Sequence, residues 1–443
     1  MKIYCAFAHL ALLFCVIVTC SAGAQETIAD PLTIEEAVEI AVKNNANVNE
    51  SKEKINSASE QTESVRADRF FKIGASYSYT RLSEEPFQVI NTGSGGSVKA
   101  QVGDQDQHHW DVTLVQPIFT GFALSTKEHM ARLEVQTVKL EKQETVLHVT
   151  QEVKTAFLHV LLAKKILLVI DDAISALQSH ESDAQLLYES GLIRYNDLLA
   201  VKVELADVVQ DREEALANRK MALANLNRWL NYDINQETEL VDIENIPFVA
   251  MDLLALIKEG LRDRPLFQAL RLGLETLDDA IILEKSAYYP DVALIGSYQQ
   301  DGNSLGAASN DFSNDHNASL TIQANWTLFE WNKTTSKVRK VQHDRRALLA
   351  RIADIEDAVR LQIKDSYLRL TVAQKNIQTA NEALTHAEEN WRIINLLYKE
   401  QVAIATEVLD ARTFLTRAET NFYNSLYGYR VALAALERAT GRK

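Results

Sequence analysis

Residues 316–329 read His316-Asn317-Ala318-Ser319-Leu320-Thr321-Ile322-Gln323-Ala324-Asn325-Trp326-Thr327-Leu328-Phe329. In an extended chain Ala318, Leu320, Ile322, Ala324, Trp326 and Leu328 share one face, and Asn317, Ser319, Thr321, Gln323, Asn325 and Thr327 share the other. One apolar face and one face of small polar residues over this length is what a tilted outer-membrane strand needs. Taken alone, the segment also fits an ordinary sandwich strand packed on one side. Three other segments carry the same alternation: about 71–82 (Ile73, Ala75, Tyr77, Tyr79), about 109–119 (Trp110, Val112, Leu114) and about 291–300. What lies between them decides the fold class.

Between Gly121 and Gly191, and again between Gly306 and Gly428, the chain contains neither glycine nor proline. Both stretches are dense in Ala, Leu, Glu, Lys, Gln and Arg, which favour helix. A helix from Phe122 to Tyr188, or from Asn332 to Tyr398, is about 100 Å long. Such lengths suit a coiled coil or a tunnel wall. The spacing predicts a helix over about 34–69, a strand pair, the long helix, and a return helix over about 195–230. The same order recurs as a helix over about 249–287, a strand pair, the long helix to Tyr398 and a return helix to about Thr440. Leu187-Tyr-Glu-Ser-Gly-Leu-Ile-Arg-Tyr-Asn-Asp-Leu-Leu199 returns as Leu397-Tyr-Lys-Glu-Gln-Val-Ala-Ile-Ala-Thr-Glu-Val-Leu409, 210 residues later. The chain is therefore one duplicated unit, with repeats over 25–240 and 241–443.

The first 24 residues read as a signal peptide: Lys2, an apolar run, and Ala22-Gly23-Ala24 as cleavage site. All three cysteines (Cys5, Cys15, Cys20) lie there, which leaves residues 25–443 with no thiol and no disulfide. The formal net charge of −15 becomes −16 once Lys2 is removed, and that acidic balance excludes a nucleic-acid partner. No later segment supplies the roughly 20 apolar residues of a membrane helix. A membrane must then be crossed by strands. Four strands cannot close a barrel, and open edges are not tolerated in lipid, so the barrel is shared between copies. Two copies give eight strands and a filled interior; three give twelve and room for a channel.

With the duplication, the strand pairs, Gln116-Pro117-Ile118-Phe119-Thr120-Gly121, Trp326-Thr327-Leu328-Phe329 and the Tyr188 and Tyr398 corners in hand, the chain resembles the TolC family of trimeric outer-membrane efflux proteins over essentially all of residues 25–443. The resemblance implies a mostly α fold with a transmembrane β part: a trimeric 12-stranded β-barrel continued by a long α-helical coiled-coil tunnel. It implies the outer membrane of a Gram-negative bacterium, with the body extending into the periplasm. It also implies a homotrimer set in outer-membrane lipid, a periplasmic adaptor and an inner-membrane pump of RND, ABC or MFS type. The expected activity is a passive gated duct for efflux or type I secretion.

Several residues acquire roles within that frame. Pro117 suits a strand end and Gly121 relaxes the turn into the long helix, whereas the second copy has Thr327 and Trp331 there, so the two junctions are expected to differ in shape. Trp110, Trp326 and Trp331 suit either a membrane-interface belt or core packing. Gly191 reads as a C-cap between reversing helices; Gln401 replaces it in the second corner, whose geometry is expected to depart from the first. By resemblance the corners are the periplasmic end, with Gly191, Leu192, Gln401 and Val402 placed for adaptor docking. Glu407 and Asp410 share one helix face and match the family's entrance carboxylates, which a three-fold axis would turn into rings that select cations. Asp197 matches a gating position, with Arg194 and Tyr195 as partners. Read alone, these acids are solvated residues near a helix start.

Other features carry no chemistry. His108-His109 lacks the companions of a metal site. Asn91-Thr-Gly-Ser-Gly-Gly-Ser97 reads as a flexible external loop, not a phosphate cradle. No catalytic set and no cofactor site stand out, so the sequence does not read as an enzyme. The competing reading is an exported coiled-coil scaffold or adhesin with no channel activity, which has no use for the alternation over 316–329.

Overall fold

The computed structural model describes residues 31–93, 95–243, 251–314 and 316–442. The proposed signal peptide lies outside them. The first half runs α1 (Ile34–Asn44), α2 (Ala46–Ala67), β1 (Lys72–Arg81), β2 (Phe87–Thr92), β3 (Gly96–Gln101), β4 (Asp106–Thr120), α3 (Ala123–Glu189) and α4 (Tyr195–Leu230). The second runs α5 (Leu253–Asp263), α6 (Pro265–Lys285), β5 (Asp291–Gly302), β6 (His316–Asn325), α7 (Lys333–Lys399) and α8 (Ala405–Thr440). Helices α3 and α7 have 67 residues each, and α4 and α8 have 36 each. The duplication is therefore structural as well as sequential.

Each leading helix, expected as one, is broken. Asn45 is extended, accepts from the Asn47 amide and donates to the Trp229 carbonyl at 2.9 Å, so it ends α1 and caps α2. Arg264 is extended because Pro265 follows it, and Pro265 opens α6 at its first position. The Arg264 guanidinium donates to Glu144 of α3 and Gln362 of α7, which ties this break to both long helices.

Strands β1, β4, β5 and β6 form one antiparallel sheet in that order. Leu114 faces Ile73 on one side and Gly296 on the other, and Gly296 faces Leu320. The apolar face expected from the alternation is thus continuous across all four strands. It lies open to solvent: Leu320 and Ile322 are about 75% exposed. Within the described residues β1 and β6 are both unpaired on their outer edges. Strand β6 ends at Asn325, short of the expected Phe329, because β5 begins only at Asp291, after Pro290, and offers no further partner. The expected loop at 91–97 is instead the end of a β-hairpin, with Phe87 to Thr92 paired against Gln101 to Gly96.

The helices pack around three cores. Val149, Val153, Phe157 and Leu161 of α3 meet Ala37 and Ala41 of α1, Leu226 and Leu230 of α4, and Tyr427 of α8. Val359 and Ile363 of α7 meet Leu256 of α5, Phe267 of α6 and Leu436 of α8. Asp242, between the repeats, accepts from Tyr427 at 2.9 Å and pairs with Lys165 at 2.6 Å, which fastens the inter-repeat segment to α8 and α3. The third core lies at the corners.

Candidate functional site

Both corners close by the same backbone hydrogen bonds. Gly191 N donates to Tyr188 O and Leu192 N to Leu187 O; Gln401 N donates to Tyr398 O and Val402 N to Leu397 O. This is the paired bonding of a left-handed helix end. Gly191 has φ +71°, and Gln401 takes φ +61° in its place. The expected departure of the second corner is therefore absent. A glutamine in this conformation costs roughly 1–2 kcal/mol relative to glycine, a cost that the surrounding bonds hold in place.

The strand–helix junctions correct the sequence reading in the same way. Gly121 and Phe122 have φ +59° and +71°, and Trp331 and Asn332 have +50° and +59°. Both junctions are two consecutive left-handed residues, with or without glycine. They differ in the strand that enters: β4 carries a register shift between Pro117 and Phe119, and β6 has already ended.

The two corners pack on each other. Ala184, Leu198 and Val201 of the first repeat meet Tyr398, Ala405 and Val408 of the second. A cleft of about 430 Å³ lies between them, lined by Leu187, Arg194, Asp197, Tyr398, Gln401 and Ile404 among others. Asp197 caps its own helix: the Arg194 amide donates to it at 3.2 Å and the guanidinium at 3.3 Å. Glu407 does the same for α8, accepting from the Ile404 amide at 3.1 Å. The structure therefore pairs Arg194 with Asp197 locally, while the Tyr195 ring lies 5.3 Å from that of Tyr188, tilted at 44° to it. Asp410 is exposed one turn beyond Glu407. Leu192, Val402 and Ile404 present apolar side chains to solvent at the tip.

The repeated tyrosines diverge. Tyr188 lies at the surface, but Tyr398 is buried with its ring 4.6 Å from that of His180 on α3. Neither Nε2 of His180 nor the Tyr398 hydroxyl has a hydrogen-bond partner. Burial pushes the imidazole below its ordinary value, against the upward pull of Asp183 and the Ala405 backbone. Burial also pushes the Tyr398 phenol up, with Asp183 and Asp197 acting in the same direction. Sequence reasoning missed His180; its counterpart 210 residues on is Asn390, so the repeat gave no signal.

A depressed folded-state pKa stabilises the packing above the ordinary imidazole value, and that contribution is lost as pH falls through the folded one. Acidification from pH 7.5 to 5.5 is therefore expected to lower the amide protection factors, corrected for the intrinsic pH dependence of exchange, over 180–190 and 398–408, and His180→Gln to abolish that change. Unchanged protection factors at the two pH values would remove the histidine from corner stability.

At the other end, Trp110 and the junction aromatics occupy opposite ends of the sheet. The ten-residue step from Trp110 to Thr120 along a tilted strand spans about 25 Å, the height of an outer-membrane apolar band. Trp110 rests 4.7 Å from Tyr77 and donates to Leu305 O at 3.4 Å. Phe119, Phe122 and Tyr289 form an edge-to-face trio, Phe329 meets Trp331 at 5.0 Å, and Trp326 donates to Tyr288 O. No helix of the described residues is long and apolar enough to cross a membrane.

The family model for outer membrane efflux proteins matches residues 37–232 and again 256–442, one copy on each repeat. The outer membrane protein TolC of Vibrio cholerae is 24% identical over 335 residues, 72% of either chain. Among solved structures, the CmeC outer membrane channel of Campylobacter jejuni has a TM-score of 0.77 at 14% identity, covering 92% of this chain and 85% of that one. The outer membrane protein VceC of Vibrio cholerae has a TM-score of 0.74 at 15% identity, covering 92% and 96%.

Proposed function

The chain belongs to the outer membrane efflux protein family, and from that membership we propose a passive, gated exit duct whose periplasmic gate is the packed pair of corners. It is the outer-membrane channel component of a tripartite efflux or secretion system, assembled as a trimer and served by a periplasmic adaptor and an inner-membrane pump. The observation that carries the duct reading is the four-stranded sheet. It has an apolar face open to solvent and, within the described residues, two unpaired edges, and it is continuous with helices about 100 Å long. Three copies close such a sheet into twelve strands and leave no edge in lipid. A scaffold or adhesin has no use for that face.

Exposed apolar side chains at Leu192 and Val402, beside the turns at Gly191 and Gln401, support adaptor docking on the corners. Trp110 at one end of the sheet, with Trp326 and Trp331 at the other, supports two interface belts. Pro117 and Gly121 fix where strand becomes helix. Asp197, Arg194 and Tyr195 act within the first corner as gating residues, and Asp197 and Glu407 hold the helix starts that must stay formed while the corners separate. Glu407 and Asp410, repeated three times about the axis, make the entrance cation-selective.

Single-channel recording in a planar bilayer tests this reading. The protein is expected to give small, cation-preferring openings blocked by divalent cations from one side only, with the block at least tenfold weaker in Glu407→Ala plus Asp410→Ala. Unblocked or symmetric currents would remove the carboxylate entrance and leave the duct. A correctly folded trimer that never conducts would overturn the duct itself.

A further inference from the structure

The helices next to the sheet lie side by side in the order α2, α3, α6, α7: α2 packs on α3, α3 on α6 and α6 on α7. The strands they adjoin run β1, β4, β5, β6 in the same order. The row therefore ends in two flanks, one on α2, which leads into β1, and one on α7, which leaves β6. The duplication supplies a covered version of the contact that both flanks lack. Helices α3 and α7 start at Ala123 and Lys333, 210 residues apart. Helices α1 and α5 start at Ile34 and Leu253, 219 residues apart, and the breaks that follow them at Asn45 and Arg264 keep that spacing, so α2 corresponds to α6 at 219. The packed pair of α3 and α6 is thus the counterpart of a pair formed by α7 and an α2.

Where α3 meets α6, Nδ1 of His129 lies 2.6 Å from Oδ2 of Asp279. The repeat turns His129 into Arg339 and Asp279 into Glu60. The same register therefore sets Arg339 of α7 opposite Glu60 of an α2. The helices are antiparallel, so seven residues further along α7 and seven back along α2 it sets Arg346 opposite Glu53. All four side chains are exposed. Among the described residues Arg339, Arg346 and Glu60 make no ion pair, and Glu53 accepts only from Asn56 of its own helix, at 3.3 Å. Their charged neighbours are matched within one helix: Glu50 with Lys54, Glu63 with Arg66, and Lys340 with Asp344.

We propose that α7 of one copy packs on α2 of the next, in the register of α3 on α6, with Arg339 on Glu60 and Arg346 on Glu53 at every seam. The proposal rests on the trimeric reading above and deepens it. It follows from continuity, because a barrel closed by β6 of one copy on β1 of the next brings the helices attached to those two strands together. Charge selects the same occupant. An α2 flank set on a second α2 flank puts acid on acid, and α7 on α7 puts guanidinium on guanidinium, so only unlike flanks are complementary. Contact between unlike flanks is heterologous and closes into a ring rather than a two-fold dimer. Within one chain the two flanks stand at opposite ends of the row, so the pairs form only between copies. Exposed ion pairs are individually weak, and their part here is to fix register and partner.

Residues 25–443 contain no cysteine, so an engineered pair of thiols is unique after leader removal. Arg339→Cys with Glu60→Cys, and separately Arg346→Cys with Glu53→Cys, are made in the full-length protein and treated with a short bis-maleimide, while native mass spectrometry reports the trimer. Covalent trimers are expected from both, and none from Arg339→Cys with Glu53→Cys, which the register sets two helical turns apart. Charge reversal is the second measurement. Glu53→Arg plus Glu60→Arg is expected to lower the trimer fraction in dilute detergent severalfold, and the further change of Arg339→Glu plus Arg346→Glu to restore it. An intact trimer that links only through the displaced pair overturns the register. An intact trimer that links through no pair and is indifferent to charge reversal overturns the seam and leaves the duct standing. Absence of trimer in the unsubstituted protein overturns the trimeric reading, and the seam with it.

Discussion

Gly121→Val is expected to abolish trimer formation, whereas Trp331→Gly at the equivalent junction is expected to keep it. Both positions are left-handed, so backbone conformation alone does not separate them. Their surroundings do. A Cβ on Gly121 would lie 2.5 Å from the Ser286 carbonyl oxygen and 2.9 Å from the Tyr289 Cβ, because the end of α6 crosses directly above the turn. The backbone there cannot retreat without moving β5, which starts at Asp291 and pairs with β4 over its whole length. A left-handed β-branched residue and the overpacking together cost about 2–5 kcal/mol per protomer. Trp331 points into open solvent, 86% exposed, and relief of its strain is worth about 1–2 kcal/mol. The measurement is the trimer fraction after refolding into detergent. A normal yield of Gly121→Val trimer would show that the junction is plastic and that packing against α6 does not set it.

The comparison of the two junctions shows how sequence and structure part. The alternation over 316–329, the glycine-free stretches and the repeat of 210 residues were legible because each is a local or periodic signal, and they were enough for fold class and assembly. Arg264-Pro265 is equally legible as a helix break, since the residue before proline is driven out of the helical region. Left-handed Trp331, Asn332 and Gln401 were not legible, since a non-glycine residue is held there only by bonds formed on both sides of it. The β2–β3 hairpin hid behind four glycines within eleven residues, which drew attention to its tip and away from Val98, Ala100 and Val102 alternating beside it. At the corners the acids were found by resemblance, but their capping of their own helices required the coordinates. His180 and Arg412 belong to 67- and 36-residue helices with weak periodicity, so neither announced that it is buried.

Arg412 carries the second large effect. It is 6% exposed on α8, its guanidinium lies 5.7 Å from the Trp391 ring, and Nη2 is 3.8 Å from Glu419, too far for a hydrogen bond. Its Nε and Nη2, and Oε2 of Glu419, have no hydrogen-bond partner. Burial pushes the guanidinium down despite Glu419 and Asp172, and pushes the Glu419 carboxyl up despite Arg412. Each group moves toward its neutral form, so desolvation outweighs attraction at both ends of the pair. Removing one partner is then the severe change: Glu419→Ala leaves a buried, unpaired cation and is expected to cost about 3 kcal/mol, the low end for such a loss because Asp172 still faces the arginine. Replacing both, as Arg412→Met with Glu419→Gln, is expected to be neutral or stabilising by about 1–4 kcal/mol. The first repeat supports this contrast. At the matching positions it has Lys202 and Val209, and Lys202 instead lies 3.8 Å from Glu181, the counterpart of Trp391, with both side chains solvated, so the first repeat packs there without a buried charge pair. Denaturant midpoints of the single and double variants separate the outcomes, provided the slope is unchanged. A double variant as unstable as Glu419→Ala would mean that the pair is a net attraction and that α8 depends on it. A stable double variant with altered gating currents would mean instead that the charge is kept to hold α8 in one register against α3 and α7, at a cost in stability.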